Sequence, residues 1–106
     1  MAKFLVQATY SADGLRGLQK EKASGRQEVV KRAVEALGGK VESMYFCLGE
    51  HDVILIIDVP DIIAGTALAI AVSSSGLVRT RSTVLLSVEE ADRALSRSVD
   101  YRPPRA

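Results

Sequence analysis

The run Val53-Ile54-Leu55-Ile56-Ile57 constrains this chain most, because it is apolar at every position. A strand with one wetted face alternates, so a run apolar at both parities reads as a central strand whose sheet is covered on both sides. Ser43 to Leu48 precedes it as a second strand-like stretch, and the tip Gly49-Glu50-His51-Asp52 separates the two. A turn glycine followed by charged groups between two such runs predicts a hairpin with polar side chains at its tip.

On either side of this hairpin the hydrophobic period switches between strand and helix. Lys3 to Tyr10 alternates, with Phe4, Val6 and Ala8 on a core face and Gln7 and Thr9 opposite. Ser11 or Asp13 can cap a helix that runs to Leu37, with Leu15, Leu18, Val29, Ala33 and Leu37 as its apolar stripe. Gly38-Gly39 stops it, and Ser24-Gly25 is its weak point, where it kinks or splits. Lys40 to Leu48 puts Val41, Ser43, Tyr45 and Cys47 on one face of the second strand. A second helix starts in Asp58-Val59-Pro60-Asp61, with Pro60 in its first turn, and ends at Ser73-Ser74-Ser75-Gly76. Leu77 to Leu86 is a fourth strand, and Ser87 with Glu90 has capping-box spacing for a short third helix to about Arg97.

The order β-α-β-β-α-β plus a terminal helix is the α+β, ferredoxin-like arrangement: a four-stranded antiparallel sheet with both helices on one face. Residues 1–97 are expected to form that domain and residues 98–106 an extended tail. The doubly apolar third strand then needs a cover that the helices do not supply, and the same face of a second copy supplies it. Burying about 600–800 Å² per subunit would contribute on the order of 15–20 kcal/mol before association costs. A homodimer or higher oligomer, closing a dimeric α/β barrel, is the expected state.

Composition excludes several classes. The 106 residues carry a net charge of +1 with both signs interspersed, so the concentrated basic patch that nucleic-acid binding requires is missing. One cysteine, Cys47, forbids an intrachain disulfide and suits a reducing, cytoplasmic setting. The longest apolar stretch, Ile62 to Val72, falls short of the ~20 residues that cross a bilayer. No phosphate-binding glycine loop, nucleophile elbow or helical metal motif occurs, and one His with one Cys is too few for zinc, so no cofactor and no metal are expected.

Candidate binding residues follow from the strand faces. If Phe4, Val6 and Ala8 meet the helices, the open face receives Leu5, Gln7 and Thr9, and on the fourth strand Arg79, Arg81 and Thr83. With Tyr45 and Cys47 this makes a partly polar wall, and two guanidiniums suit a small anionic or aromatic ligand such as a carboxylate. The competing reading pairs Arg79 and Arg81 with acidic residues across a subunit contact. Lys22 and Arg26 fall near the middle of the first helix's apolar stripe, where they either reach a cleft beside the sheet or are turned outward by a helix break. His51-Asp52 invites a general-base reading, although adjacent strand residues point to opposite faces and a turn or dimer-contact role competes. Cys47 reads as a small core residue before a nucleophile.

The segments Gln7-Ala8-Thr9-Tyr10 with Gly14, Gly38-Gly39-Lys40, Gly49-Glu50-His51-Asp52, Pro60-Asp61, Gly76-Leu77-Val78-Arg79-Thr80 and Glu89-Glu90 together resemble the GYD family of small bacterial proteins, over roughly residues 3 to 97. The family's naming motif has Tyr where this chain has His51. The resemblance implies a ferredoxin-like domain that pairs sheet to sheet, akin to dimeric α/β barrel proteins. Those include cofactor-free monooxygenases, muconolactone-type isomerases, haem-binding chlorite dismutases and ligand-sensing domains of transcription regulators. It carries over no catalytic residues, and fold analogy does not choose among such functions. Small-molecule binding or sensing through Thr9, Tyr45, His51, Arg79 and Arg81 ranks first. Oligomeric assembly, with the Pro-rich tail on a neighbour, ranks second. A cofactor-independent isomerase or monooxygenase using His51 or Tyr45 for proton transfer ranks third.

Overall fold

The alternation of Phe4, Val6 and Ala8 and the all-apolar run at Val53 build the two inner strands, and the rest of the chain is hung on them. A computed structural model describes residues 1–105. The elements are β1 (Ala2–Tyr10), α1 (Ala12–Ala36), β2 (Lys40–Phe46), β3 (Val53–Val59), α2 (Ile62–Ser73), β4 (Val78–Leu85) and α3 (Val88–Leu95). One antiparallel sheet has the order β2-β3-β1-β4, the ferredoxin-like arrangement expected.

Register decides which side chains share a face. Phe4 pairs with Ile57 and Val84, Val6 with Leu55 and Ser82, and Ala8 with Val53 and Thr80. Phe4, Val6, Ala8, Val53, Leu55, Ile57 and Val59 are buried under the helices together with Val34 of α1. The opposite parity forms the open face: Leu5, Gln7 and Thr9 of β1, Ile54 and Ile56 of β3, and Arg79, Arg81 and Thr83 of β4. Leu5, Ile54 and Ile56 make an apolar centre on this face, only partly screened from solvent by their own chain.

Four local expectations change. In β2 the pairing shifts between Val41 and Ser43, so Val41 joins Met44 against the core while Ser43 and Tyr45 stay on the open face. One extra residue at a bulge flips the side-chain parity on either side of it, which strict alternation cannot anticipate. Asp58 and Val59 belong to β3, Pro60 precedes the helix, and the N-cap of α2 is Asp61, whose carboxylate accepts from Ala64 N–H at 2.8 Å.

The break in α1 lies at Lys22 (φ 70°, ψ 164°), not at Ser24-Gly25. Breaking the helix there resets its phase, so Val30 and Val34 face the core beyond it while Val29 and Ala33, expected in the stripe, are exposed. Gly38 (φ 83°) closes α1 as expected: Gly38 N–H donates to Glu35 O and Gly39 N–H to Val34 O, a Schellman pair. Finally, α3 has its capping box between Ser87 and Glu90 but ends at Leu95, with no residue buried. Beyond it the chain to Arg105 has no regular structure.

Candidate functional site

The hairpin tip is fastened to the end of β1 by a set of short polar contacts. Asp52 N–H donates to Ala8 O at 2.9 Å, continuing the β1–β3 ladder past Val53. The next donor along β1, Tyr10 N–H, is met by Asp52 Oδ2 at 2.9 Å. The carboxylate thus stands in for a strand carbonyl where the backbone has already turned away. Cys47 N–H donates to Asp52 O at 2.8 Å, and the Cys47 thiol donates to His51 O at 3.0 Å. Cys47 is therefore a hydrogen-bonded group of the turn rather than a member of the open-face wall.

His51 and Asp52 diverge, as adjacent extended residues must. While Asp52 serves the backbone of Tyr10, His51 Nδ1 lies 3.3 Å from Thr9 Oγ1, which also approaches Glu50 O at 3.5 Å. The imidazole is thereby held over the end of β1. No His51–Asp52 hydrogen bond forms among the described residues, so the carboxylate does not orient the ring, and a His-Asp general-base pair is not assembled.

Beside His51 the open face sinks into a depression of about 300 Å³ lined by Gln7, Thr9, His51, Arg79, Thr80 and Arg81. Arg79 pairs across the ladder with Thr9 and Arg81 with Gln7. The two arginines are separated by one residue on the same face, about 7 Å apart along the strand. No carboxylate of the described residues lies within ion-pair distance of either guanidinium. At the opposite end of the same face Lys3 pairs with Glu42 and lies 3.6 Å from Asp58. The Lys3 contact holds the Glu42 carboxyl below its ordinary range and raises the ammonium of Lys3.

Of the residues expected from sequence, Thr9, His51, Arg79 and Arg81 come together. Tyr45 shares the face but not the depression: the row Tyr45–Ile54–Gln7–Arg81 spans three strand spacings, about 14 Å. Tyr45 is 70% exposed. Lys22 is exposed at the α1 break, and Arg26 lies on the helix side of the sheet, away from the other candidates. Gln7 was placed on the open face by its parity with Thr9 but not among the binding candidates, and Asp52 was read only as a partner for His51. The anchoring role of Asp52 depends on where the β3 backbone leaves the sheet, which no spacing rule gives.

Among the described residues no cluster of three His, Cys, Asp or Glu side chains could hold a metal ion. No helix is long and apolar enough to cross a membrane. The GYD domain family matches residues 4–95, and the chain belongs to that family. No curated protein and no solved structure matches it.

Proposed function

We propose that this GYD-family chain is a small-molecule binding or sensing module that works as a homo-oligomer, with a small carboxylate held against Arg79, Arg81, Thr9 and His51. One observation carries the reading: two guanidiniums without a carboxylate partner among the described residues line the same depression as a hydroxyl and an imidazole. Paired guanidiniums match a carboxylate through parallel N–H···O bonds, and the Thr9 hydroxyl and His51 ring add directional donors. The apolar centre formed by Leu5, Ile54 and Ile56 supports covering this face by a second copy, which would also exclude water from the ligand.

Thermal shift with a panel of small aliphatic and aromatic carboxylates tests the binding. A ligand at a hundredfold its Kd stabilises by about 2.7 kcal/mol, and the paired change Arg79→Ala/Arg81→Ala should lower that gain. Sedimentation velocity on dilution tests the oligomer, and Ile56→Glu should yield a monomer. No stabilisation by any carboxylate refutes the ligand reading. An arginine pair whose removal dissociates the oligomer, with ligand stabilisation intact, assigns it to the subunit contact instead.

The exposed C-terminal arm favours assembly as a second reading. Val88, Ala91 and Leu95 share one face of α3, and both Val88 and Leu95 are 82% exposed. The radius of gyration, 16.7 Å, exceeds the ~13 Å of a compact domain of this length. An amphipathic helix that covers nothing in its own subunit suits a neighbour's surface. Truncation after Ser87 should then lower the oligomeric state; an unchanged sedimentation coefficient per subunit mass would reject this role.

A further inference from the structure

The open-face depression leaves unused a second group of residues on the helix side of the sheet. There the two helices do not close over the core. A cleft of about 400 Å³ opens between Leu18 of α1, Ala71 of α2 and Leu77. It continues inward to an apolar space of about 80 Å³ over Val6 and Leu55. Tyr10, Arg26, Leu68, Val72 and Val78 line both volumes, so they form one tapering cavity.

Its walls are mostly aliphatic; Tyr10, Arg26 and Glu21 are the polar groups at its middle, with Ser75 at the mouth and Thr80 and Ser82 at the inner end. Among the described residues the only carboxylate within reach of Arg26 is Glu21, at 3.6 Å, an ion-pair distance too long for a hydrogen bond. Arg26 makes no hydrogen bond among the described residues, although its side chain is only 27% exposed. The Tyr10 phenol is half-buried, and desolvation pushes its pKa above the ordinary value, which keeps the hydroxyl a donor.

A backbone break lies about one helical turn before this arginine. Lys22 occupies a region of φ/ψ space that costs a non-glycine residue about 1–3 kcal/mol. That break separates Lys22, which is exposed, from Arg26, four residues on, which turns inward. Gly25 completes the arrangement: a Cβ there would sit 2.9 Å from Glu21 Cγ.

We propose that this cleft is a second binding site, specific for an apolar monocarboxylic acid, with its carboxylate on Arg26 and Tyr10 and its hydrocarbon body between Leu68, Val72 and Val78. The cleft's volume lies at the lower end of the range for small-molecule sites, which selects a short aliphatic or single-ring acid. An amine of the same shape is repelled by the Arg26 guanidinium, and an inorganic anion leaves the apolar walls unfilled. Glu21 competes with the ligand carboxylate, so it acts as an internal gate on affinity.

Isothermal titration of the full chain with octanoate, phenylacetate, octylamine and octanol tests the assignment. Saturable binding of the two acids, and none of the amine, is expected. Losing a charge-assisted hydrogen bond should make Arg26→Gln bind about tenfold or more weakly. Glu21→Gln should bind more tightly. Ala71→Phe, an exposed change at the mouth, should weaken binding without touching the core, and Arg79→Ala/Arg81→Ala should leave it within twofold. Octanol bound as tightly as octanoate, acid binding retained by both Arg26→Gln and Ala71→Phe, or no acid binding at all overturns the proposal. Acid binding lost only in the Arg79/Arg81 variant assigns the ligand to the open face and overturns it equally.

Discussion

Replacing Asp52 by alanine should unfasten the hairpin tip, with a cost that follows from its contacts. The carboxylate accepts one hydrogen bond, from Tyr10 N–H at 2.9 Å, in a partly buried setting. Alanine removes an ionised acceptor and leaves that N–H without a protein partner, a loss of about 1.5–3 kcal/mol. The backbone bonds of the same residue, Asp52 N–H to Ala8 O and Cys47 N–H to Asp52 O, survive the change and limit the damage to the tip. With a urea m-value of about 1–1.5 kcal/mol/M for a domain of this size, the midpoint should fall by about 1–3 M at unchanged slope. Asp52→Asn separates charge from hydrogen bond, because its amide oxygen still accepts. It should cost less than half as much. Both variants must be unfolded at one protein concentration, since self-association would add a mass-action term. Because the tip also carries His51 beside Thr9, carboxylate stabilisation at the open face should weaken in the alanine variant. A midpoint within 0.3 M of the parent, roughly 0.4 kcal/mol, would refute the view that this carboxylate completes the ladder.

Other perturbations probe separate parts of the structure. Gly39→Ala places a Cβ 2.2 Å from Asp58 O and 3.0 Å from Val59 Cγ1, both held by the sheet, and should cost about 3 kcal/mol by thermal unfolding. Lys22→Gly relieves the positive φ in α1 and should raise stability by about 1 kcal/mol; a loss on chemical denaturation would contradict the strain. Burial raises the Tyr10 pKa, so the folded state holds that proton more tightly than the unfolded chain. Stability from this source is present below pH ~10 and declines as pH rises through the folded value, and Tyr10→Phe should flatten that alkaline decline. In α3, Ser87→Ala removes the N-cap that accepts from Glu90 N–H and should reduce helicity by circular dichroism, a loss of about 1 kcal/mol for that helix.

The parity of each strand set much of this fold and half of its open-face site. Phe4, Val6 and Ala8 could only lie together, and the same rule put Thr9 with Arg79 and Arg81 once β1 and β4 were neighbours. The all-apolar β3 run announced a central position, because an edge or one-sided strand cannot hide both faces. The Gly38-Gly39 stop and the Ser87 cap were equally legible, since their chemistry is local. Four features were not. The bulge after Val41 and the strained break at Lys22 are settled by tertiary packing, which places Val30, Val34 and Val41 on the core. The pairing of Tyr10 N–H with Asp52, residues 42 apart in sequence, depends on where one strand ends against another. The placing of Arg26 beside Tyr10 likewise joins residues whose spacing carries no period. Local rules fix which way a side chain points along its own element; only tertiary packing fixes what it then meets.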